Sequence, residues 1–172
     1  MQVETFADTA ADLVTGITMN YAKEAVGLAR AARNAGLPVV ISFTVETDGK
    51  LPTGQSLGDA IQQVDEATSD YPAYFMINCA HPTHFSSVIG GEQPWMERIR
   101  GLRANASTMS HAELNEAPEL DAGDLVELGR NYAALKGQQM KSLNVFGGCC
   151  GTDHRLVEQI ALACLPLFRR AT

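Results

Sequence analysis

One stretch near the C-terminal end decides how the whole chain is interpreted, and it reads Asn144-Val145-Phe146-Gly147-Gly148-Cys149-Cys150-Gly151-Thr152-Asp153. It combines a short apolar strand, a glycine-rich turn, two adjacent thiols and a helix start that Thr152 or Asp153 can cap. Cysteine is a soft ligand, and two thiols at the end of a strand suit zinc. Because two adjacent residues cannot complete a tetrahedral site, at least one more ligand must come from elsewhere.

The best candidate for a third ligand is Cys79, which also ends an apolar run just before a loop. A cysteine inside an apolar run is usually a small buried hydrophobe, and this describes Cys164. Cys149 and Cys150 lie instead between glycines, which let the backbone crowd around a ligand. A vicinal disulfide and a pair of redox thiols remain alternatives to a metal role for these two residues.

Composition bounds the class of protein. The chain has 172 residues, of which 45% are hydrophobic, and we expect residues 1–172 to form a single domain with a substantial core. The net charge of -7 argues against a nucleic-acid partner and against an anionic membrane surface. No apolar run approaches the roughly 18 residues that a membrane span needs. Four cysteines without a secretory signal favour a reducing, cytoplasmic location.

The apolar runs predict alternating helices and strands. The predicted strands are 12–19, 37–45, 72–79, 101–106 and 141–146, and the main predicted helices are 2–10, 21–35, 57–67, 121–136 and 153–170. Two short helical segments are expected at 84–90 and 95–99, and a loop with little structure at 107–121. Because the strands are continuous apolar runs, a parallel sheet buried on both faces is favoured. No glycine fingerprint for a nucleotide follows the first strand.

Polar residues or thiols follow each predicted strand. In parallel α/β proteins function lies at the carboxyl ends of the strands, so Cys79 and the vicinal pair should share one rim. They lie two strands apart in order, with the weak strand 101–106 between them, and a curved barrel brings such positions together more easily than a flat sheet. Three thiolates would leave the fourth zinc position open, which is the layout of a catalytic site.

At this point the residues resemble a known family. The segment 147–152, with Asn78-Cys79 upstream, is similar to the homocysteine S-methyltransferase family. Residues 41–44 and the loop 49–51 also resemble that family's fifth strand and the loop after it. The resemblance implies a (β/α)8 barrel of the TIM type, and methyl transfer from a small-molecule donor to the thiol of homocysteine or a related small thiol.

The resemblance also implies site residues. Zinc would be held by Cys79, Cys149 and Cys150. Thr18, Thr44 and Asn78, which end three strands at the same rim, are candidates to bind the substrate, and Asn78 could instead orient the metal loop. The segment Gly16-Ile17-Thr18 departs from the family, which usually has Phe-Glu-Thr there, with the Glu binding the substrate amino group. Thr18 therefore keeps only the neighbouring hydroxyl. No residue identifies the methyl donor.

The second departure concerns the barrel itself. The five predicted strands match the fourth to the eighth of the family, so we expect a partial barrel with two open edges. Such a chain should aggregate, associate with a further copy to cover its apolar surface, or be part of a larger product. A catalytically silent truncated barrel that keeps the zinc-binding loops is the alternative function. His81 and His84 could supply a metal ligand beside Cys79, but the favoured interpretation is that they shape the loop after it. No partner is predicted for His111.

Overall fold

Five apolar runs form strands that pair in chain order, β1-β2-β3-β4-β5, and every pair is parallel. The computed structural model describes residues 2–91 and 93–168. The strands are β1 Val14–Met19, β2 Val39–Phe43, β3 Tyr74–Asn78, β4 Ile99–Ala104 and β5 Val145–Gly148. The expected α/β class is thereby confirmed: an all-parallel five-stranded sheet with flanking helices, consistent with part of a TIM-type barrel.

Seven α-helices are present in the described part of the chain. They are α1 Gln2–Ala7, α2 Ala22–Asn34, α3 Leu57–Thr68, α4 Pro82–Phe85, α5 His111–Glu116, α6 Leu125–Ala134 and α7 His154–Cys164. Short 3-10 helices occupy Pro94–Arg98 and Leu165–Phe168, and a π-helical turn, Leu135–Gln139, follows α6. Within the described ranges, no helix combines the length and apolar character needed to cross a membrane.

Several predicted boundaries are confirmed by the hydrogen bonds that cause them. Ser56 caps α3 by accepting the backbone N–H of Asp59 at 3.1 Å, and Asp153 caps α7 by accepting that of Arg155 at 2.9 Å. Gly36, with φ of 71°, follows the end of α2 in the left-handed conformation that favours glycine. The predicted helix 153–170 ends as an α-helix at Cys164, and its residues 169–170 lie outside the described part.

Two predictions outside the strands were wrong. The stretch 107–121 is not unstructured: it contains α5, which begins with a capping box between Ser110 and Glu113. The short helix expected at 84–90 lies instead at Pro82–Phe85, where proline at the first position and the His81 side chain cap the start.

The helices pack on one face of the sheet, as consecutive parallel strands with right-handed connections require. A Cβ atom at Gly16 would overlap Leu28 of α2, and the Tyr132 hydroxyl of α6 accepts the backbone N–H of Ala104 at 2.7 Å. We call the opposite, helix-free face the inner face. It carries Ser42 and Asn78, which hydrogen-bond to one another.

Both sheet edges expose apolar side chains. Leu13 and Ile17 are exposed at the β1 edge. Beside β5, a cavity of about 250 Å³ opens against α7 and is lined by Phe146, Val157 and Phe168 among others. These edges are the surfaces at which a barrel sheet would continue.

We predict that the 172-residue chain self-associates, because association removes this apolar surface from water. Sedimentation velocity at micromolar concentration should show dimers or larger species. A monodisperse monomer with a cooperative thermal transition would contradict this prediction.

Candidate metal centre

The residues that follow β3 and β5 are both hydrogen-bonded to the end of β4 and to the chain that continues it. The backbone N–H of Cys79 donates to Arg103 O at 3.1 Å, and that of Cys149 donates to Ala104 O at 2.9 Å. The N–H of Ala106 donates in turn to Cys150 O at 3.0 Å. The segment predicted as a weak strand is thus the central scaffold that positions both cysteine loops.

The two loops converge over this scaffold. The Cα atoms of Cys79 and Cys149 are 5.5 Å apart. In a flat sheet, two strands separated by a third would lie about 9.5 Å apart. Cys79 has φ of 57°, a left-handed conformation that is uncommon for a residue other than glycine. This turn and the curvature of the sheet bring residues 70 positions apart in sequence to one place.

Three thiols form one group at this rim. The Sγ atoms of Cys79, Cys149 and Cys150 all lie within 4.8 Å of one another, and those of Cys149 and Cys150 are 4.0 Å apart. The latter distance is too long for a vicinal disulfide, in which the sulfurs would be about 2.05 Å apart. Cys149 is instead in bonding contact with Cys79, so the structure pairs these two residues as a disulfide.

The donor set fits three ligands of a zinc ion. Tetrahedral zinc with bonds of about 2.3 Å separates its sulfur ligands by about 3.8 Å. The distance between Cys149 and Cys150 is close to this value, and Cys150 is exposed and unpaired. Among the described residues, no fourth Cys, His, Asp or Glu joins the group. Binding requires the Cys79 and Cys149 thiols in their reduced form, because thiolates and not a disulfide are the ligands.

Cys164 is separate from this group. It is buried in the core beside Leu156 and Ile160 of α7, and burial raises the pKa of its thiol. The interpretation of Cys164 as a small core residue is therefore consistent with its position.

Two of the three predicted substrate-binding residues are joined by hydrogen bonds. The Asn78 side chain accepts from the backbone N–H of Thr18 at 3.0 Å and donates to its hydroxyl at 2.8 Å. Asn78 also accepts from the Ser42 hydroxyl at 2.6 Å. Thr18 has φ of 61°, so this network fixes a second left-handed residue at the rim. Ser42 was not among the predicted site residues, although a hydroxyl inside a β-branched run was a visible signal.

Thr44, the third predicted residue, differs from the other two. It is 3% exposed, and its hydroxyl has no hydrogen-bond partner among the described residues. An unpaired buried hydroxyl is costly, and most buried polar atoms in proteins do have partners. The structure therefore leaves this group available to a bound molecule.

His111 lies next to the thiol group, although the sequence suggested no partner for it. Its Nε2 donates to the Cys79 carbonyl at 2.9 Å, and its Nδ1 lies 3.4 Å from the Glu46 carboxylate. Helix α5, which begins at His111, is thereby attached to the left-handed turn at Cys79. The contact depends on how the 107–121 stretch folds back, which no local pattern reveals.

His81 and His84 do not join the thiol group, and both are buried. The Nδ1 atom of His81 accepts the backbone N–H of Thr83 at 3.3 Å and so caps α4. His84 Nε2 donates to the Thr108 carbonyl at 2.8 Å. These bonds hold the loop after Cys79, in keeping with the predicted loop-shaping role.

The burial of His81 predicts a pH effect on stability. Burial, with a smaller contribution from His84, lowers the pKa of His81 from 6.5 to about 4. The unfolded chain therefore takes up the proton first, and the free energy of unfolding should fall by up to about 3 kcal/mol as the pH decreases from about 6.5 to 4. Urea titrations of the metal-free chain across this range measure the effect.

His81→Asn is the matched variant for this measurement, because asparagine can cap the helix but does not titrate. Its stability should change less over the same range. An equally steep fall in the variant would assign the effect to other groups.

The fold and the site together define a class: a parallel α/β protein of barrel type with a candidate three-thiol metal centre at the carboxyl ends of its strands. A model of the homocysteine S-methyltransferase family matches residues 1–164, nearly the whole chain, so the chain belongs to that family. A comparison with curated proteins gives no match.

Proposed function

We propose that this chain is a zinc-dependent S-methyltransferase that acts on the thiol of homocysteine or a related small thiol. The observation that carries the proposal is the meeting of Cys79, Cys149 and Cys150 at the carboxyl rim. Membership of the homocysteine S-methyltransferase family supports a methyltransferase in general. The proposal that the metal is zinc and the nucleophile a thiolate rests on the chemistry of the three thiols.

The three cysteines would hold the zinc ion, and the remaining coordination position would be left for a substrate sulfur. When bound, zinc supplies positive charge that allows a thiol with an ordinary pKa of about 8.5 to be deprotonated at neutral pH. The chain itself holds the three cysteine sulfurs in place. The bonds from Cys79 and Cys149 to the β4 chain, and from His111 to the Cys79 carbonyl, fix where the sulfurs lie.

Thr18, Thr44 and Asn78 are proposed to orient the substrate at the same rim. Asn78 is fully buried and holds the Thr18 backbone, while the unpaired Thr44 hydroxyl can donate a hydrogen bond to a bound molecule. Holding the sulfur and the methyl donor in line converts a bimolecular step into an effectively unimolecular one. In that step the thiol proton leaves to solvent, a sulfur–carbon bond forms, and the bond between the donor and the methyl carbon breaks.

The alternative is a catalytically silent partial barrel that keeps the metal-binding loops. Two observations favour it: the exposed apolar edges, and Ile17 at the position where the resemblance implies a glutamate. Both functions require the metal, and they differ in whether methyl transfer follows.

The test uses the 172-residue chain purified under reducing conditions. Metal analysis should give one zinc ion per chain, and methyl transfer to homocysteine should be measured with sulfonium, betaine and methylfolate donors. Zinc without transfer from any donor would support the silent barrel. Metal-free protein with all four cysteines open to alkylation would contradict both functions.

A further inference from the structure

The five strands contain two charged residues, Arg100 and Arg103, both in β4. Arg103 points to the inner face: a Cβ atom at Gly147 of β5 would lie 3.4 Å from its Cγ, and Gly101, two residues earlier, faces Met76 on that side. Arg100 is exposed at the opposite end of the strand. Arg103 is therefore the one charged strand residue on the inner face.

Arg103 lies directly below the thiol group. On the β3 side, Arg103 pairs in register with Asn78, the residue before Cys79. On the β5 side, it pairs with Gly147, two residues before Cys149. Because the neighbouring position on β5 is glycine, no side chain from that strand covers the guanidinium.

The guanidinium has unused hydrogen-bonding capacity. Its Nε donates to Gly148 O at 3.2 Å, which fixes the direction of the side chain. Arginine has five N–H donors, and within residues 2–91 and 93–168 no carboxylate forms an ion pair with Arg103. A planar, half-buried guanidinium with free donors matches a carboxylate, which it can bind through two parallel hydrogen bonds.

We propose that Arg103 binds a carboxylate group of the thiol substrate, so that the acceptor is a mercaptocarboxylate whose amino group is not required. This inference rests on the proposed function. The inner-face strand residues supply a cation and no anion, and Ile17 stands where the resemblance implies the glutamate that binds an amino group. Two carboxylates near the rim already have partners: Glu46 lies against His111, and Asp121, whose backbone lies beside Gly151, accepts a hydrogen bond from the Ser107 hydroxyl. The charge of the site therefore favours recognition of the acid end of the substrate.

The test compares two ligands that differ only in charge, 4-mercaptobutanoate and 4-mercaptobutanamide. Calorimetric titration of the zinc-loaded chain should show the acid binding about 10- to 100-fold more tightly, as expected for charge-assisted hydrogen bonds. In Arg103→Met this difference should disappear, with the affinity for the amide unchanged. Homocysteine should bind no more than a fewfold more tightly than 4-mercaptobutanoate.

Arg100→Met is the matched control, because it removes the other arginine of the same strand and should keep the full preference for the acid. Arg103→Lys keeps the positive charge but loses the planar guanidinium, so it should retain part of the preference for the acid. It also replaces Arg103→Met in the comparison if that variant does not fold. Zinc content is measured for every variant. Equal affinities of the wild-type chain for acid and amide, or binding of homocysteine but of neither analogue, would overturn this inference alone. No binding of homocysteine or of either analogue would overturn the proposed function and this inference with it.

Discussion

Replacing Cys150 by serine is expected to abolish zinc binding and methyl transfer while leaving the metal-free fold intact. Cys150 is exposed and bonded to no other cysteine, so its loss should change the free energy of unfolding by no more than about 0.5 kcal/mol. Loss of a group beside a metal ligand costs 10- to 100-fold in affinity, so loss of a ligand itself should cost more than about 100-fold. Metal analysis, urea unfolding of the metal-free chain and the transfer assay measure the three effects.

Cys164→Ala provides the opposite pattern and so serves as the control. This cysteine is 2% exposed and lies in the core, where a small cavity should lower the free energy of unfolding by about 1 kcal/mol. Its zinc content and transfer rate should equal those of the wild type. If Cys150→Ser retained zinc with wild-type affinity, a site of three thiols would be excluded.

The architecture was predictable from the sequence because buried parallel strands carry continuous apolar runs. The fully buried residues of β2 and the core face of α3 are visible without any knowledge of the fold. Boundaries were less predictable where pairing overrides local preference. The last strand was expected at 141–146 but runs from Val145 to Gly148, because Gly147 and Gly148 pair with Arg103 and Ala104 although glycine is a poor strand former.

Other features had a local signal that was overlooked. Ser110 followed by Glu113 is a capping-box pattern, and it marks the start of α5 inside the stretch expected to be a loop. That helix buries none of its residues, so its hydrophobic pattern gave no warning. The attachment of His111 to the Cys79 carbonyl had no such signal, since it joins positions 32 residues apart.

The candidate site was predictable in part. Cysteine at two strand ends indicated a shared rim, and the three sulfurs do lie together there. The reason they meet could not be read from sequence: it is the left-handed turn at Cys79 and the hydrogen bonding of both loops to the β4 chain. Arg103 likewise becomes notable only when the register places it between Asn78 and Gly147.

The largest effect on stability from a single rim residue is expected for Asn78→Leu. Asn78 is fully buried and makes three hydrogen bonds, two to Thr18 and one to Ser42. Leucine removes all three and leaves the fully buried Ser42 hydroxyl without its acceptor. Each buried polar group left without a hydrogen-bond partner costs about 1–3 kcal/mol, so the free energy of unfolding should fall by about 2–4 kcal/mol in urea titrations.

The double variant Asn78→Leu, Ser42→Ala separates two contributions to the loss of stability: the lost hydrogen bond, and the buried Ser42 hydroxyl left without an acceptor. Because it removes both partners, it should be more stable than Asn78→Leu alone by about 1–2 kcal/mol, even though Ser42→Ala by itself is destabilising. Additive effects would show that the two side chains do not share a bond. The Thr18 backbone would still have lost its partner, so binding of a small thiol should stay impaired in the double variant, which ties the stability of this network to the function proposed for it.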